Sequence, residues 1–180
     1  VDAPPDVPEY IPACATDPGY TPDPATQRRY RVVTTSLDYD SATDACTEHG
    51  AHLVSINSDV ENNYLRTRIT GDTWIGLDDL TNEGVLRWIN GAPLSFQGFI
   101  PPEPNDNGTE DCTHLRQDGT WNDADCAQTR PAICECDAAF KPPPTPMCRT
   151  LAAGAQLFDG RRYFVHNDAK TWPAAKLDCE

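Results

Sequence analysis

Apolar positions along this chain come in short runs whose period changes repeatedly, and the changes mark out elements. Tyr30-Arg31-Val32-Val33 is aromatic and β-branched and reads as a strand. From Asp40 to His49 the spacing becomes helical, and Gly50 supplies the stop. Ser58-Asp59-Val60-Glu61 places a hydroxyl three residues before a carboxylate, the capping box that opens a second helix. Its Val60, Tyr64, Leu65 and Ile69 fall on one stripe, expected to face inward. Four short strands are predicted after it, Thr73 to Leu77, Leu86 to Ile89, Cys112 to Arg116 and Ala132 to Glu135, with Asn90-Gly91 and Asp118-Gly119 as turns. Between Gly91 and Cys112 no period holds, and a loop of that length inside a compact region is ordinarily functional or disordered, its acids and Trp-flanked neighbours favouring the former.

Proline divides the rest of the 180 residues. Residues 1–24 contain seven prolines, which favour extended backbone and remove amide donors, so this arm should be a tail or a strap on the domain. A compact domain is expected over 25–136 and a semi-rigid Pro-rich linker over 137–147. In 148–180 an earlier pattern returns. Arg29-Tyr30-x-Val32 followed by Tyr39, Ala42 and Cys46 reappears as Arg162-Tyr163-x-Val165 followed by Trp172, Ala175 and Cys179, all at an offset of 133. Matches in one register that end on a cysteine are better explained by duplication than by chance. The chain is therefore expected to stop inside a second, incomplete copy, either as a fragment or as a partner that another chain completes.

Eight cysteines in an acidic chain with no C-x-x-C point to a disulfide framework and an extracellular, secreted location. No apolar run approaches a membrane span, and the start lacks a basic-then-apolar leader, so a mature form is expected, without membrane insertion.

Charge then singles out one region. Between Asp78 and Cys126 lie ten acids (Asp78, Asp79, Glu83, Glu103, Asp106, Glu110, Asp111, Asp118, Asp123, Asp125) and two arginines (Arg87, Arg116), which makes minus eight of the chain's net minus fourteen. Clustered acids ordinarily mean a solvated face, but these are interleaved with Pro, Asn, Cys and Trp at fixed places. Nucleic acid is disfavoured, because its phosphates would be repelled. Glu103-Pro104-Asn105, Glu110-Asp111 and Trp121-Asn122-Asp123 offer carboxylate and amide oxygens, the hard donors that Ca2+ takes in sets of about six to eight. No Cys or His stands beside them at zinc spacing. A cis bond at Pro104, inexpensive only before proline, would turn Glu103 and Asn105 the same way.

Trp74-Ile75-Gly76-Leu77, Glu103-Pro104-Asn105, Trp121-Asn122-Asp123 and the spacing of Cys46, Cys112, Cys126 and Cys134 together resemble the C-type lectin-like domain. The likeness runs from about Tyr30 to Glu135, and its beginning reappears from Arg162 to Cys179. It implies an α+β fold with two helices, small antiparallel sheets, a long calcium-binding loop and disulfide staples. It also implies the pairs Cys46 with Cys134 and Cys112 with Cys126, leaving Cys14 and Cys136 to join the two ends of the domain. By the resemblance, Glu103, Asn105, Glu110, Asn122 and Asp123 are the principal Ca2+ ligands and the carbohydrate-binding residues. Asp79, Glu83, Asp106 and Asp111 form an auxiliary Ca2+ site. Glu-Pro-Asn members of the family bind mannose, N-acetylglucosamine, fucose or glucose, and Gln-Pro-Asp members favour galactose.

The function implied is calcium-dependent binding of mannose-type glycans or glycoproteins, multiplied by repetition of domains. The alternative is an extracellular matrix or filament protein that uses the fold for assembly, with homo-oligomer or fibre neighbours. An enzyme is not expected, because Glu103 and Glu110 are the only imaginable acid pair and both are assigned to metal. Trp74, Trp88 and Trp121 read as core, and His49, His52, His114 and His166 as ordinary positions. Asn107-Gly108-Thr109, the chain's single glycosylation sequon, lies inside the calcium loop, where a glycan could crowd the site.

Overall fold

The computed structural model describes residues 12–106, 109–137, 156–158 and 161–163. The chain divides into one unit over Val1–Lys141 and another over Pro142–Glu180. Asn107, the first eleven residues, nearly all of the Pro-rich linker, and Cys148, Trp172, Ala175 and Cys179 of the expected second copy lie outside the described residues.

The first unit is built on one mixed sheet. Strands β1 (Thr21–Pro22), β2 (Arg29–Leu37), β3 (His52–Leu53), β4 (Thr73–Asp78), β5 (Arg87–Trp88), β6 (Cys112–Leu115), β7 (Trp121–Ala124) and β8 (Arg130–Cys136) run in the order β1-β2-β8-β4-β6-β7, with β3 added on β8 and β5 on β4. β2 and β8 pair antiparallel from Arg29 opposite Cys136 to Val33 opposite Ala132, so the two ends of the domain close on each other. β2 runs four residues beyond the expected Val33, its register with β8 broken by a bulge before Leu37. Three strands escape the hydrophobic pattern: β1 and β3 have two residues each, and β7 reads Trp-Asn-Asp-Ala.

Two helices pack on this sheet. In α1 (Tyr39–Thr47) the Asp38 carboxylate caps the start by accepting from the Ser41 amide at 2.8 Å, and Gly50 ends the following turn at φ 68°. α2 (Asp59–Arg66) opens as expected, Ser58 Oγ accepting from the Glu61 amide at 3.2 Å. Glu61 reaches back one residue further than a simple capping box, to the Asn57 amide at 2.8 Å. The inward stripe is narrower than its spacing implied. Leu65 and Ile69 are buried and Tyr64 half-buried, whereas Val60 is 60% exposed. The buried face of α2 is Glu61, Asn62 and Leu65, and Val60 lies to its side.

Strand alternation divides the core in two. Trp74 packs with Tyr39, Ala42, Cys46, Leu53 and Cys134, while Ile75 and Leu77 of the same strand pack with Val54, Ile56, Leu65, Trp88, Trp121 and Ile133. All three expected core tryptophans are buried. Between them Gly76 passes so close to β3 that a Cβ there would lie 2.5 Å from the Leu53 carbonyl oxygen, so only glycine fits. Disulfides Cys46–Cys134 and Cys112–Cys126 staple α1 to β8 and β6 to the segment after β7. A third, Cys14–Cys136, ties the Pro-rich segment to the end of β8, and Tyr20 of that segment is buried.

In the second unit, β9 (Gln156–Phe158) pairs antiparallel with β10 (Arg161–Tyr163), Leu157 opposite Arg162. Arg29-Tyr30 in β2 likewise faces a short preceding strand, Pro22 opposite Arg29 and Thr21 opposite Tyr30.

Candidate functional site

The long loop before β6 owes its position to aromatic packing. Phe96 and Phe99 set their rings edge-on to Trp121 at 5.5 and 5.6 Å, and Trp88 approaches the same indole at 5.6 Å. The Gly98 carbonyl accepts from the Trp121 amide at 2.9 Å, and a Cβ on Gly98 would stand 2.5 Å from the indole nitrogen. That nitrogen donates to Asn62 Oδ1 at 2.9 Å, so α2 also helps to fix the tryptophan. Trp121 thus joins the loop to β7, and Asn122 and Asp123 follow directly.

The loop then passes through two cis peptides, Pro101-Pro102 and Glu103-Pro104, the second at the place expected from sequence. Past it, Asp123 holds the chain. Its Oδ2 accepts from the backbone amides of Asn105 at 2.9 Å and Asp106 at 2.7 Å, while its Oδ1 is buried without a hydrogen-bond partner. Asn105 Nδ2 donates to Glu103 Oε2. Asn122 lies in β7 opposite His114 of β6, its Nδ2 donating to the Asp123 carbonyl and lying 3.2 Å from His114 Nε2. Arg116, at the turn that ends β6, donates to Asn122 Oδ1 at 2.5 Å and to Glu103 Oε1 at 3.4 Å. Glu103, Asn105, Asn122 and Asp123 are therefore joined by hydrogen bonds. Glu110 is half-buried in the segment entering β6.

The four auxiliary residues also meet. Asp79 sits at the end of β4, with Oδ2 accepting from the Gly84 amide at 2.9 Å and its amide donating to the Asp111 carbonyl at 3.1 Å. Its Oδ1 is buried and unpartnered. Burial, followed by the charges of Asp111 and Asp106, raises the Asp79 pKa. Glu83 is raised chiefly by the charge of Asp106, to which it is also hydrogen-bonded. Carboxylates in this arrangement bear uncompensated negative charge and keep protons more readily than free ones.

Donor chemistry and the two orphaned carboxylate oxygens fit a hard divalent cation, since a buried unpaired charge is costly until a cation takes it. Among the described residues, no three His, Cys, Asp or Glu side chains converge tightly enough to hold an ion by themselves. An ion here would have to draw on the amide oxygens of Asn105 and Asn122 and on the Asp123 carbonyl as well. A groove lined by Tyr30, Arg31, Tyr64, Leu65 and Arg68 contains none of these residues.

Two members of the site were not singled out from sequence. His114, read as an ordinary position, is buried beside Asn122, with burial and the charges of Arg130 and Arg116 pushing its pKa down to about 3. Arg116 had entered only as a charge. The available signal was strand alternation, which sets His114 and Arg116 on the same side of β6.

Comparison with known proteins agrees with this architecture. A family profile for the lectin C-type domain matches residues 35–136. Mouse CD209 antigen-like protein A is 45% identical over 53% of this chain and 42% of its own length. The alpha-N-acetylgalactosamine-specific lectin of Patiria pectinifera is 37% identical over 59% of this chain and 72% of its own. Among solved structures, the cow CD23 C-type carbohydrate-recognition domain, crystallised in the presence of a GlcNAc2Man3 oligosaccharide, superposes with TM-score 0.63 and 31% identity over 67% of this chain and 94% of that one. A calcium-independent type II antifreeze protein superposes equally well, with TM-score 0.63 and 29% identity over 67% of this chain and 92% of that one. The matched segment spans about a third of the length of several curated relatives, 29%, 34% and 42% in three of them. Among the described residues no helix is long and apolar enough to cross a membrane. Fold, disulfides and family profile agree, and the chain belongs to the carbohydrate-binding C-type lectin domain family.

Proposed function

We propose that the first unit is an extracellular, calcium-dependent carbohydrate-binding module for mannose-type sugars, with Glu103, Asn105, Glu110, Asn122 and Asp123 as its principal ligands. The observation that carries this reading is the divided role of Asp123. One carboxylate oxygen pins the backbone after Pro104, and the other is buried and unpartnered beside Asn105 and Asn122. A group held so firmly by one atom and left so costly at the other is arranged for a cation. A bound calcium ion would supply coordination positions for two vicinal hydroxyls. Around it, carboxylates accept from those hydroxyls and amides donate to them, so the order Glu-Pro-Asn selects one hydroxyl arrangement and Gln-Pro-Asp another. The oligosaccharide named with the cow CD23 domain supports mannose-type recognition, while the specificity named for the Patiria lectin marks galactose-type sugars as the outcome to test against.

The crowding of Asp79, Glu83, Asp106 and Asp111 supports an auxiliary ion that would brace the loop. The pairing of β9 with β10 at Arg162-Tyr163, set beside that of β1 with β2 at Arg29-Tyr30, supports a second copy beginning after the linker. Weak single sites become useful when such domains recur.

Binding to immobilised mannose and to immobilised galactose, each with calcium and with chelator, tests the proposal. Retention on mannose with calcium and release by chelator are expected. Glu103→Gln combined with Asn105→Asp should move retention to galactose. Retention that ignores chelator, or an unchanged mannose preference in the double variant, would overturn the ligand assignment.

A further inference from the structure

The acidic segment has a cation of its own. Between Asp78 and Cys126 only Arg87 and Arg116 are basic, and Arg116 points into the site. Its backbone is fixed in the β6–β7 turn, the amide donating to the Thr120 carbonyl at 2.8 Å and the carbonyl accepting from the Gly119 amide at 2.9 Å. The guanidinium is held from a rigid base and lands on two assigned ligands, Glu103 and Asn122. Its effect on each is the same. Asn122 has one acceptor atom, Oδ1, and Arg116 takes it. Glu103 has two oxygens, of which Oε1 faces Arg116 and Oε2 faces Asn105 Nδ2.

We propose that Arg116 is a built-in competitor for the cation. It compensates and holds Glu103 and Asn122 in the ion-free domain and has to leave them when a divalent ion binds. The inference rests on the calcium reading of this site. A guanidinium and a divalent ion on the same amide oxygen would stand only a few ångströms apart, where like charges in a partly buried site repel strongly. The side chain is 38% exposed and has solvent into which to swing, whereas Glu103 is 12% exposed and has not. The arginine is therefore the partner that moves. The consequences are a lowered ion affinity, an ion-free site that stays ordered, and faster loss of ion and saccharide together when calcium falls.

The full chain, its Arg116→Met variant, which keeps length without charge, and its Arg116→Lys variant, which keeps charge without the planar fork, are compared by calorimetric calcium titration and by thermal unfolding in chelator. Arg116→Met should bind calcium about tenfold more tightly than the parent, and its melting temperature in chelator should fall by about 4 °C, because the ion-free acids lose their counter-ion. Arg116→Lys should lie between the two. Calcium binding by Arg116→Met alone would overturn the release of the arginine by the ion, and with it the calcium dependence proposed for the parent. Equal calcium affinity in parent and Arg116→Met overturns the competitor role and leaves the calcium reading standing. Absence of calcium binding in all three chains overturns both.

Discussion

In the proposed site Asn122 would present its oxygen to a cation, and its neighbours decide which way the amide faces. Arg116 carries only donors and the Asp123 backbone carbonyl only accepts, so Oδ1 must face Arg116 and Nδ2 must face the carbonyl. Nδ2 therefore donates its second proton to His114 Nε2, 3.2 Å away, and the imidazole must be neutral, with its proton on Nδ1. Burial does favour the neutral ring, bringing its pKa down to about 3. Such a ring resists protonation while the unfolded chain, with pKa about 6.5, does not. The native state then binds fewer protons between the two values, and this group's contribution to stability is lost as pH falls through that window. His114→Phe keeps the ring and removes the acceptor. Calcium affinity should drop by about tenfold in calorimetry, as for other residues that orient metal ligands. An unchanged affinity would mean that the carbonyl alone orients the amide.

At the scale of elements, the long loop behaves as part of the β6–β7 hairpin because Trp121 gathers Phe96, Phe99 and the Gly98 carbonyl around one indole. Gly98→Ala would drive a methyl group to 2.5 Å from the indole nitrogen, with two further indole atoms at 2.6 and 2.7 Å. Something must shift, and overpacking of this kind costs about 1 to 3 kcal/mol. Denaturant unfolding in chelator should show that loss, and calcium affinity should fall with it as the Glu103 to Asp106 backbone moves off Asp123. A stability loss with full calcium affinity would show that the loop is positioned by Asp123 alone. This anchoring was not legible in the sequence, where Phe96 and Phe99 stand in a run with no period. Elements were legible where a local rule acts: Ser58 opening α2, Gly50 closing the turn after α1, proline permitting the cis bond before Pro104. They were missed where tertiary pairing overrides a polar or very short segment, as in β1, β3 and β7. Val60 looked inward by spacing, yet α2 buries the face of Glu61, Asn62 and Leu65, two of which are polar and so gave no apolar signal. For the site, oxygen-bearing residues could be named from motif, whereas alternation along β6 puts His114 and Arg116 on one side without telling that Asn122 of β7 lies across from them.

Over the whole domain, the closing pair of strands β2 and β8 contains a charge problem outside the candidate site. Glu135 and Glu61 are buried, and both reach the same Arg28 nitrogen, at 2.8 and 3.4 Å. One cation for two carboxylates leaves a buried excess of negative charge. Protonation of Glu135 would relieve it, against the hydrogen bonds its two oxygens accept from Arg28 and the Ser55 amide. Burial raises its pKa to about 7, helped by the charges of Glu61 and Asp137 and opposed by the Ser55 amide and Arg28. In the unfolded chain the group should titrate near its ordinary value of 4.5. Between those values the native state holds a proton that the unfolded state has lost, so this group's contribution to stability falls as pH rises through the window, opposite in sign to that of His114. Glu135→Gln mimics the protonated form at every pH. With chelator present throughout, its stability relative to the parent should improve by on the order of 3 kcal/mol between pH 4.5 and 8, the equivalent of the shift. Parallel pH profiles would show that Arg28 keeps Glu135 ionised. The domain's acid response would then belong to the acidic loop before β6 and to His114, and the pair of strands that joins its two ends would be indifferent to pH.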